Sequence, residues 1–159
     1  MATTAERLVG RLAALGRTCA TAESCTGGGV GSALTSVPGA SAVFLGGVIS
    51  YANSVKQGVL GVPGEVLSAH GAVSAECAAA MAAGARRLLG ADLAVSLTGI
   101  AGPDGGSPDK PVGLVWFGLS SARGVATEKR VFTGDRAAVR AAAVEHAMQL
   151  LLDAATALQ

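Results

Sequence analysis

The sequence predicts an α/β fold, a three-layer α/β/α sandwich around a mixed parallel and antiparallel sheet. Three observations predict it. Helical and strand periodicities alternate from residue 4 to residue 99, which favours crossover connections between parallel strands. Beyond them "KPVGLVWFGLSSARGVATEKRVFTG" has two β-prone arms about a short turn and reads as a hairpin, so part of the sheet is antiparallel. Half of the 159 residues are hydrophobic, and the excess lies in Ala, Val, Leu and Gly rather than aromatics, side chains small enough to let helices lie close on a sheet.

Leu8, Leu12 and Leu15 share one helical face, so residues 4 to 16 form an amphipathic helix ended by Gly16. "TCATA" is a short strand. Val30, Leu34 and Val37 continue the next helix until Pro38 and Gly39 stop it. "AVFLGGVISY" is apolar and partly β-branched, which suits a buried strand. Asn53 can cap a helix carrying Val55, Val59 and Leu60, with Gly61 closing it, and Ser74 caps another whose Cys77, Met81, Leu88 and Leu89 face inward until Gly90. "ADLAVSLTG" is a strand. In the hairpin the first arm is apolar on both faces, while the second alternates and carries Glu128, Lys129 and Arg130. The last helix runs from Asp135 to Leu158.

The length suits one domain, residues 1–159, with a single core. Only 14% of residues are charged, which excludes a disordered chain. The net charge of +1, with scattered Lys and Arg, argues against a nucleic-acid surface but leaves room for a small-anion site. No apolar run is long enough to span a membrane, and the N-terminus carries Glu6 and two arginines within its apolar pattern, so a cytoplasmic protein is expected. Cys19, Cys25 and Cys77 have neither CxxC spacing nor an even count, which points to a reducing compartment. His70 and His146 have no partner at ligand spacing, so no metal and no cofactor are expected.

Four stretches carry candidate chemistry. "TAESCTGGGVG" joins a strand to a helix, where backbone N–H groups and the helix dipole favour an anion. It lacks the Lys-Ser/Thr ending of a P-loop and the spacing of a dinucleotide fingerprint. Ser24 is either the helix N-cap or a functional hydroxyl, and the pattern leaves both open. In "SYANSVKQGVLGV" Lys56 falls in the first helical turn; partly buried there, its neutral amine is favoured and can act as a base, whereas on the surface it is a solvated cation. Tyr51 lies where the strand ends, as a catalytic hydroxyl or a core ring with a wet rim. "SLTGIAGPDGGSPDKPVG" is a long Gly/Pro-rich loop of the functional kind, in which Asp104 and Asp109 fit turns better than a metal site. In "FTGDRAAVRAAAVEHA" Arg136 and Arg140 are four apart on one helical face, arranged either to clamp a phosphate or to sit in solvent.

Together, "TAESCTGG", "GGVISYANSVKQGVLGV", "SLTGIAGPDGG" with "PVGLVW", and "GDRAAVR" resemble the CinA C-terminal domain family, over nearly the whole chain. That family includes stand-alone nicotinamide-mononucleotide deamidases and the C-terminal halves of competence-damage-inducible proteins. The resemblance implies an amidohydrolase that converts nicotinamide mononucleotide and water to nicotinate mononucleotide and ammonia, in pyridine nucleotide salvage, by a Ser-Lys mechanism. It implies Ser24 as nucleophile, Lys56 as base and Tyr51 beside them. It implies substrate contacts at Thr26, Gly27, Gly28, Ser41, Thr98, Gly99 and either Arg136 or Arg140.

The chemistry agrees with the implied roles. A serine needs a base within hydrogen-bond reach, and a neutral lysine can replace histidine. Backbone amides at the start of the helix after Ser24 are the expected oxyanion donors. Cys25 and Thr98 are the rival nucleophiles, but neighbouring residues at a helix start project about 100° apart, so only one of Ser24 and Cys25 is expected to face substrate, and a strand-end threonine reads better as a hydrogen-bond partner of the ligand or the lysine. The alternative is a nucleotide-phosphate-binding module that performs no chemistry and serves a separate partner enzyme. Small-residue surfaces favour a homo-oligomer.

Overall fold

The computed structural model describes residues 1–158. In chain order its elements are α1 (Thr4–Leu15), β1 (Cys19–Glu23), α2 (Gly29–Thr35), a 3-10 turn (Ala40–Ala42), β2 (Phe44–Ile49) and α3 (Asn53–Gly58). Then follow α4 (Gly64–His70), α5 (Ala75–Leu89), β3 (Leu93–Gly99), β4 (Leu114–Ser121), β5 (Gly124–Val131) and α6 (Arg136–Thr156). The strands form one sheet in the order β2-β1-β3-β4-β5. β1 is parallel to both β2 and β3, and the β4–β5 hairpin continues antiparallel from β3, so the sheet is mixed.

Strand parity decides what covers each face. Cys19 of β1 and Leu93, Val95 and Leu97 of β3 pack with α1, α2 and α6 in one apolar core. The alternate positions, Ala20, Ala22 and Ala94, pack with α5 in a second. The α5 face is lined by small groups, and that is what brings the helix close: Ser96 Oγ donates to the Ala78 carbonyl at 2.6 Å, and a Cβ at Gly118 would collide with the same carbonyl. The helices on both faces thus complete the α/β/α sandwich.

The caps follow the sequence in part. A capping box between Thr3 and Glu6 starts α1, Ser74 accepts the Cys77 amide to start α5, and Asp135 accepts the Ala138 amide to start α6. Elsewhere the structure corrects the reading. Ser24 caps nothing: α2 begins later, at Gly29, and its cap position is Gly28, whose φ of 102° no side-chain-bearing residue adopts readily. Asn53 is already helical, Ala52 stands at the cap, and α3 ends at Gly58 rather than Gly61. Val37 lies past the end of α2, and Leu88 faces solvent because α5 packs only one side on the sheet. The short helix α4 has no signal in its apolar spacing; it was absent from the expected order. The second strand is an edge strand with Leu45 and Ile49 exposed; a register shift lets Phe44 pack on one core and Val48 on the other, and none of its residues is fully buried.

β1 is the switch point of this topology. Its connection to β2 runs through α2 on one face, and the connection from β2 to β3 runs through α5 on the other. Helices leaving to opposite faces open a crevice at the carboxyl end of the central strand, the usual ligand position in such sheets. Ser24 is the residue that follows that strand.

Candidate active site

Ser24 leaves β1 with its amide still in the sheet, donating to the Leu97 carbonyl at 3.1 Å. The turn that follows is held from beneath by Glu23, only 2% exposed. One Glu23 carboxylate oxygen accepts the Thr26 hydroxyl at 2.7 Å and the Val30 amide at 2.9 Å, and the other accepts the Gly31 amide at 3.1 Å. The negative carboxylate thereby takes the amides at the start of α2, where the helix dipole favours it. Those amides are not available to an oxyanion, contrary to expectation. Among the described residues, the amides of Cys25 and Thr26 make no hydrogen bond to another residue.

Lys56 reaches this turn from α3. Its side chain is 1% exposed, and its Nζ lies 2.9 Å from Ser24 Oγ, 2.7 Å from the Ser50 carbonyl and 3.0 Å from the Tyr51 carbonyl. The two carbonyls belong to the segment just after β2, itself fixed because the Ser50 amide and hydroxyl both donate to the Glu23 carbonyl, at 2.7 and 3.2 Å. Burial pushes the Lys56 amine below its ordinary value, while the Cys77 and Cys25 thiols pull the other way. A neutral amine has two hydrogens and one lone pair. With the hydrogens on the Ser50 and Tyr51 carbonyls, the lone pair faces the Ser24 hydroxyl.

A cavity of about 200 Å³ opens on this pair. Ser24, Cys25, Tyr51, Lys56, Thr98 and Arg136 are among the residues that line it. Cys25 borders it beside Ser24, so the two neighbours are not separated as the helix-start geometry predicted; the turn there is not yet helical. The Cys25 side chain also belongs to the apolar core, and burial raises its thiol pKa despite Arg140 and Lys56 nearby, which disfavours a thiolate. Thr98 donates its hydroxyl to the Ala72 carbonyl at 2.9 Å, which leaves the oxygen only acceptor capacity toward the cavity. Gly99 follows it in the lining, where a Cβ would collide with the β4 backbone.

The two arginines part company. Arg136 stands at the cavity mouth, one nitrogen 2.8 Å from the Gly102 carbonyl and another 3.4 Å from the Tyr51 hydroxyl, with the Tyr51 side chain 65% exposed. Arg140, one turn on, directs its fork inward to the carbonyls of Cys25 at 3.1 Å and Thr26 at 3.2 Å. It braces the turn instead of pairing with Arg136. Thr26 turns its hydroxyl to Glu23, Gly27 is exposed under Arg140, and Gly28 borders a neighbouring cavity with Glu23 and Ile49. Ser41 lies in the 3-10 turn beside a separate cavity of about 580 Å³ that no titratable side chain lines. Sequence reading passed over Glu23 and Ser50; the only signal for either was a charged or polar residue at the end of an otherwise apolar strand.

The family model of the CinA C-terminal domain matches residues 1–155. The chain belongs to the CinA C-terminal domain family. A CinA-like protein of Anaeromyxobacter dehalogenans strain 2CP-1 is 54% identical over 144 residues, 91% of this chain and 35% of that protein. A putative competence-damage inducible protein of Desulforudis audaxviator is 50% identical over 136 residues, 86% of this chain and 33% of that protein. The chain thus spans about a third of the length of the curated relatives it matches. A crystal structure of a competence-damaged protein (CinA) superfamily protein from Klebsiella pneumoniae superposes with a TM-score of 0.93 at 38% identity, covering 98% of this chain and 97% of the other. The competence/damage inducible protein CihA of Agrobacterium tumefaciens gives 0.91 at 42% identity, covering 94% and 92%.

Among the described residues no helix is long and apolar enough to cross a membrane.

Proposed function

We propose that this CinA-family domain hydrolyses the carboxamide of nicotinamide mononucleotide to nicotinate mononucleotide and ammonia, a salvage step for pyridine nucleotides. The observation that carries the reading is the 2.9 Å contact between Lys56 Nζ and Ser24 Oγ, with two carbonyls on the remaining lysine hydrogens.

Neutral Lys56 takes the Ser24 hydroxyl proton as Oγ bonds to the carboxamide carbon. The carbonyl pair becomes an oxyanion, received by the backbone amides of the turn at Cys25 and Thr26, each such donor contributing up to about 3 kcal/mol. Lys56 passes its proton to the amide nitrogen, the C–N bond breaks and ammonia leaves, with the acyl group as an ester on Ser24. Water then gives a proton to Lys56 and its oxygen to the acyl carbon. The ester bond breaks, the Lys56 proton returns to Ser24 Oγ, and the acid formed gives its remaining proton to solvent and departs as the carboxylate. Arg136 holds the 5′-phosphate at the mouth, with the Tyr51 ring beside the pyridine. Thr98 accepts a hydrogen bond from the amide nitrogen, and the backbone at Gly99 lets the substrate approach. Arg140 supports the turn from behind. The protein works in the cytoplasm as a homo-oligomer and uses no metal or cofactor.

Purified protein incubated with nicotinamide mononucleotide should release ammonia and nicotinate mononucleotide in equal amounts. Binding of the nucleotide with no ammonia would favour the binding-module alternative instead.

A further inference from the structure

We infer that Glu23 is a positioning residue for the amide hydrolysis proposed above, an inference that rests on that reading. Glu23 makes two sets of bonds on opposite sides of the nucleophile. Its carboxylate holds Thr26, Val30 and Gly31, so the turn from Ser24 to Gly28 is pinned at its far end. Its own carbonyl takes two bonds from Ser50, whose carbonyl in turn accepts Lys56 Nζ. One residue therefore fixes both the strand end that presents Ser24 Oγ and the cradle that aims the lysine. Among the described residues no cation contacts the buried Glu23 side chain; two amides and a hydroxyl are its hydrogen-bond partners.

Its consequence is geometric. By satisfying the amides of Val30 and Gly31 itself, Glu23 draws the start of α2 onto β1, and the Thr26 hydroxyl locks the intervening turn. The Cys25 and Thr26 amides are left without a bond to another described residue in the turn directly after Ser24. Loss of the carboxylate frees the turn, and a misplacement on the order of 1 Å of a reacting group costs about 100-fold in rate. Glu23 touches neither substrate nor reacting atom, so the loss falls on kcat and not on KM.

The test uses Glu23→Gln, Thr26→Val and Thr26→Ser in the full chain, each compared per folded molecule below its melting temperature. Two readouts are taken: steady-state ammonia release from nicotinamide mononucleotide, and the rate at which a small fluorophosphonate labels Ser24. Glu23→Gln places an amide N–H against the Gly31 amide, and Thr26→Val removes the hydroxyl with its shape kept. Both should lower kcat and labelling at least tenfold with KM within about threefold, and Thr26→Ser should restore the wild-type rates. Unchanged kcat and labelling in folded Glu23→Gln would overturn the inference, whatever its melting temperature. If the wild type is labelled but releases no ammonia, the substrate reading fails, and the labelling ratios still decide the role of Glu23. If the wild type is neither labelled nor active, both are overturned.

Discussion

Two carboxylates at opposite ends of the parallel strands use the same hydrogen-bond chemistry to different ends. Before β3, Asp92 accepts the Thr18 amide at 2.8 Å, the Thr18 hydroxyl at 3.2 Å and Arg17 at 3.3 Å, stapling the amino ends of β1 and β3 at the surface. At the carboxyl end of β1, Glu23 accepts a threonine hydroxyl and two amides, out of water, under the turn that carries Ser24. The difference lies in what each neighbours. The staple at Asp92 borders solvent and can only add stability, whereas the one at Glu23 borders the switch-point crevice and holds the turn that presents Ser24 beside Lys56. Hydrogen-bond count does not separate a structural from a functional carboxylate; position in the topology does.

The sharpest way to break this contrast is at the reacting pair. Ser24→Ala, with Cys25 intact, and Lys56→Met should each lower kcat for ammonia release by about 10³-fold or more, because the nucleophile and its base act as a unit. Retained turnover in Ser24→Ala would move the chemistry to Cys25. The pH profile tests the same pair without mutation. Lys56 must be neutral to act, so kcat/KM should rise about tenfold per pH unit on its acid limb. It should level off at a midpoint below the ordinary lysine value, because burial depresses this amine. A limb that continues to rise into the ordinary lysine range would show a solvated amine.

Arg136→Ala should raise KM about tenfold and change kcat less, since its guanidinium stands at the mouth and not at the bond that breaks. An equal fall in kcat would place it in the reaction. The smallest effect belongs to the other end of the sheet. Partial burial alone would raise the Asp92 carboxyl, but hydrogen bonds from Thr18 and Arg17 outweigh it and hold the pKa below the ordinary aspartate value. Its contribution is therefore present above the unfolded pKa and lost as pH falls through the folded one. Asp92→Asn should cost only about 0.5 kcal/mol at neutral pH, because the group is partly exposed and screened, and should leave ammonia release unchanged. Chemical denaturation at two pH values measures the first, and the ammonia assay the second.

Much of the fold was legible because its signals are local. The alternation of periods, the hairpin, Gly16 and Gly90 at helix ends, and the caps at Ser74 and Asp135 each follow from a few neighbouring residues. The misreadings were local too. Ser24 looks like a cap because a cap requires only a short polar side chain before a helix, but Glu23 reaches over it and takes the helix amides first. "AVFLGGVISY" looks buried because hydropathy does not record whether a strand has one neighbour or two.

At the site, the sequence supplied the residue types: a serine after a strand, a lysine in a short helix, a threonine at a strand end and two arginines on one helical face. By itself it determined the layered α/β architecture and the loops in which chemistry was possible, since periodicity, turn residues and caps act over a few residues. Only the tertiary structure decided that Lys56 reaches Ser24 across 32 positions, that Arg136 and Arg140 point to different tasks, and that Glu23 and Ser50 join the two halves of the site. Those outcomes depend on strand order and on which buried polar groups remain unpaired after folding, and contacts between distant segments leave no periodic trace in the chain.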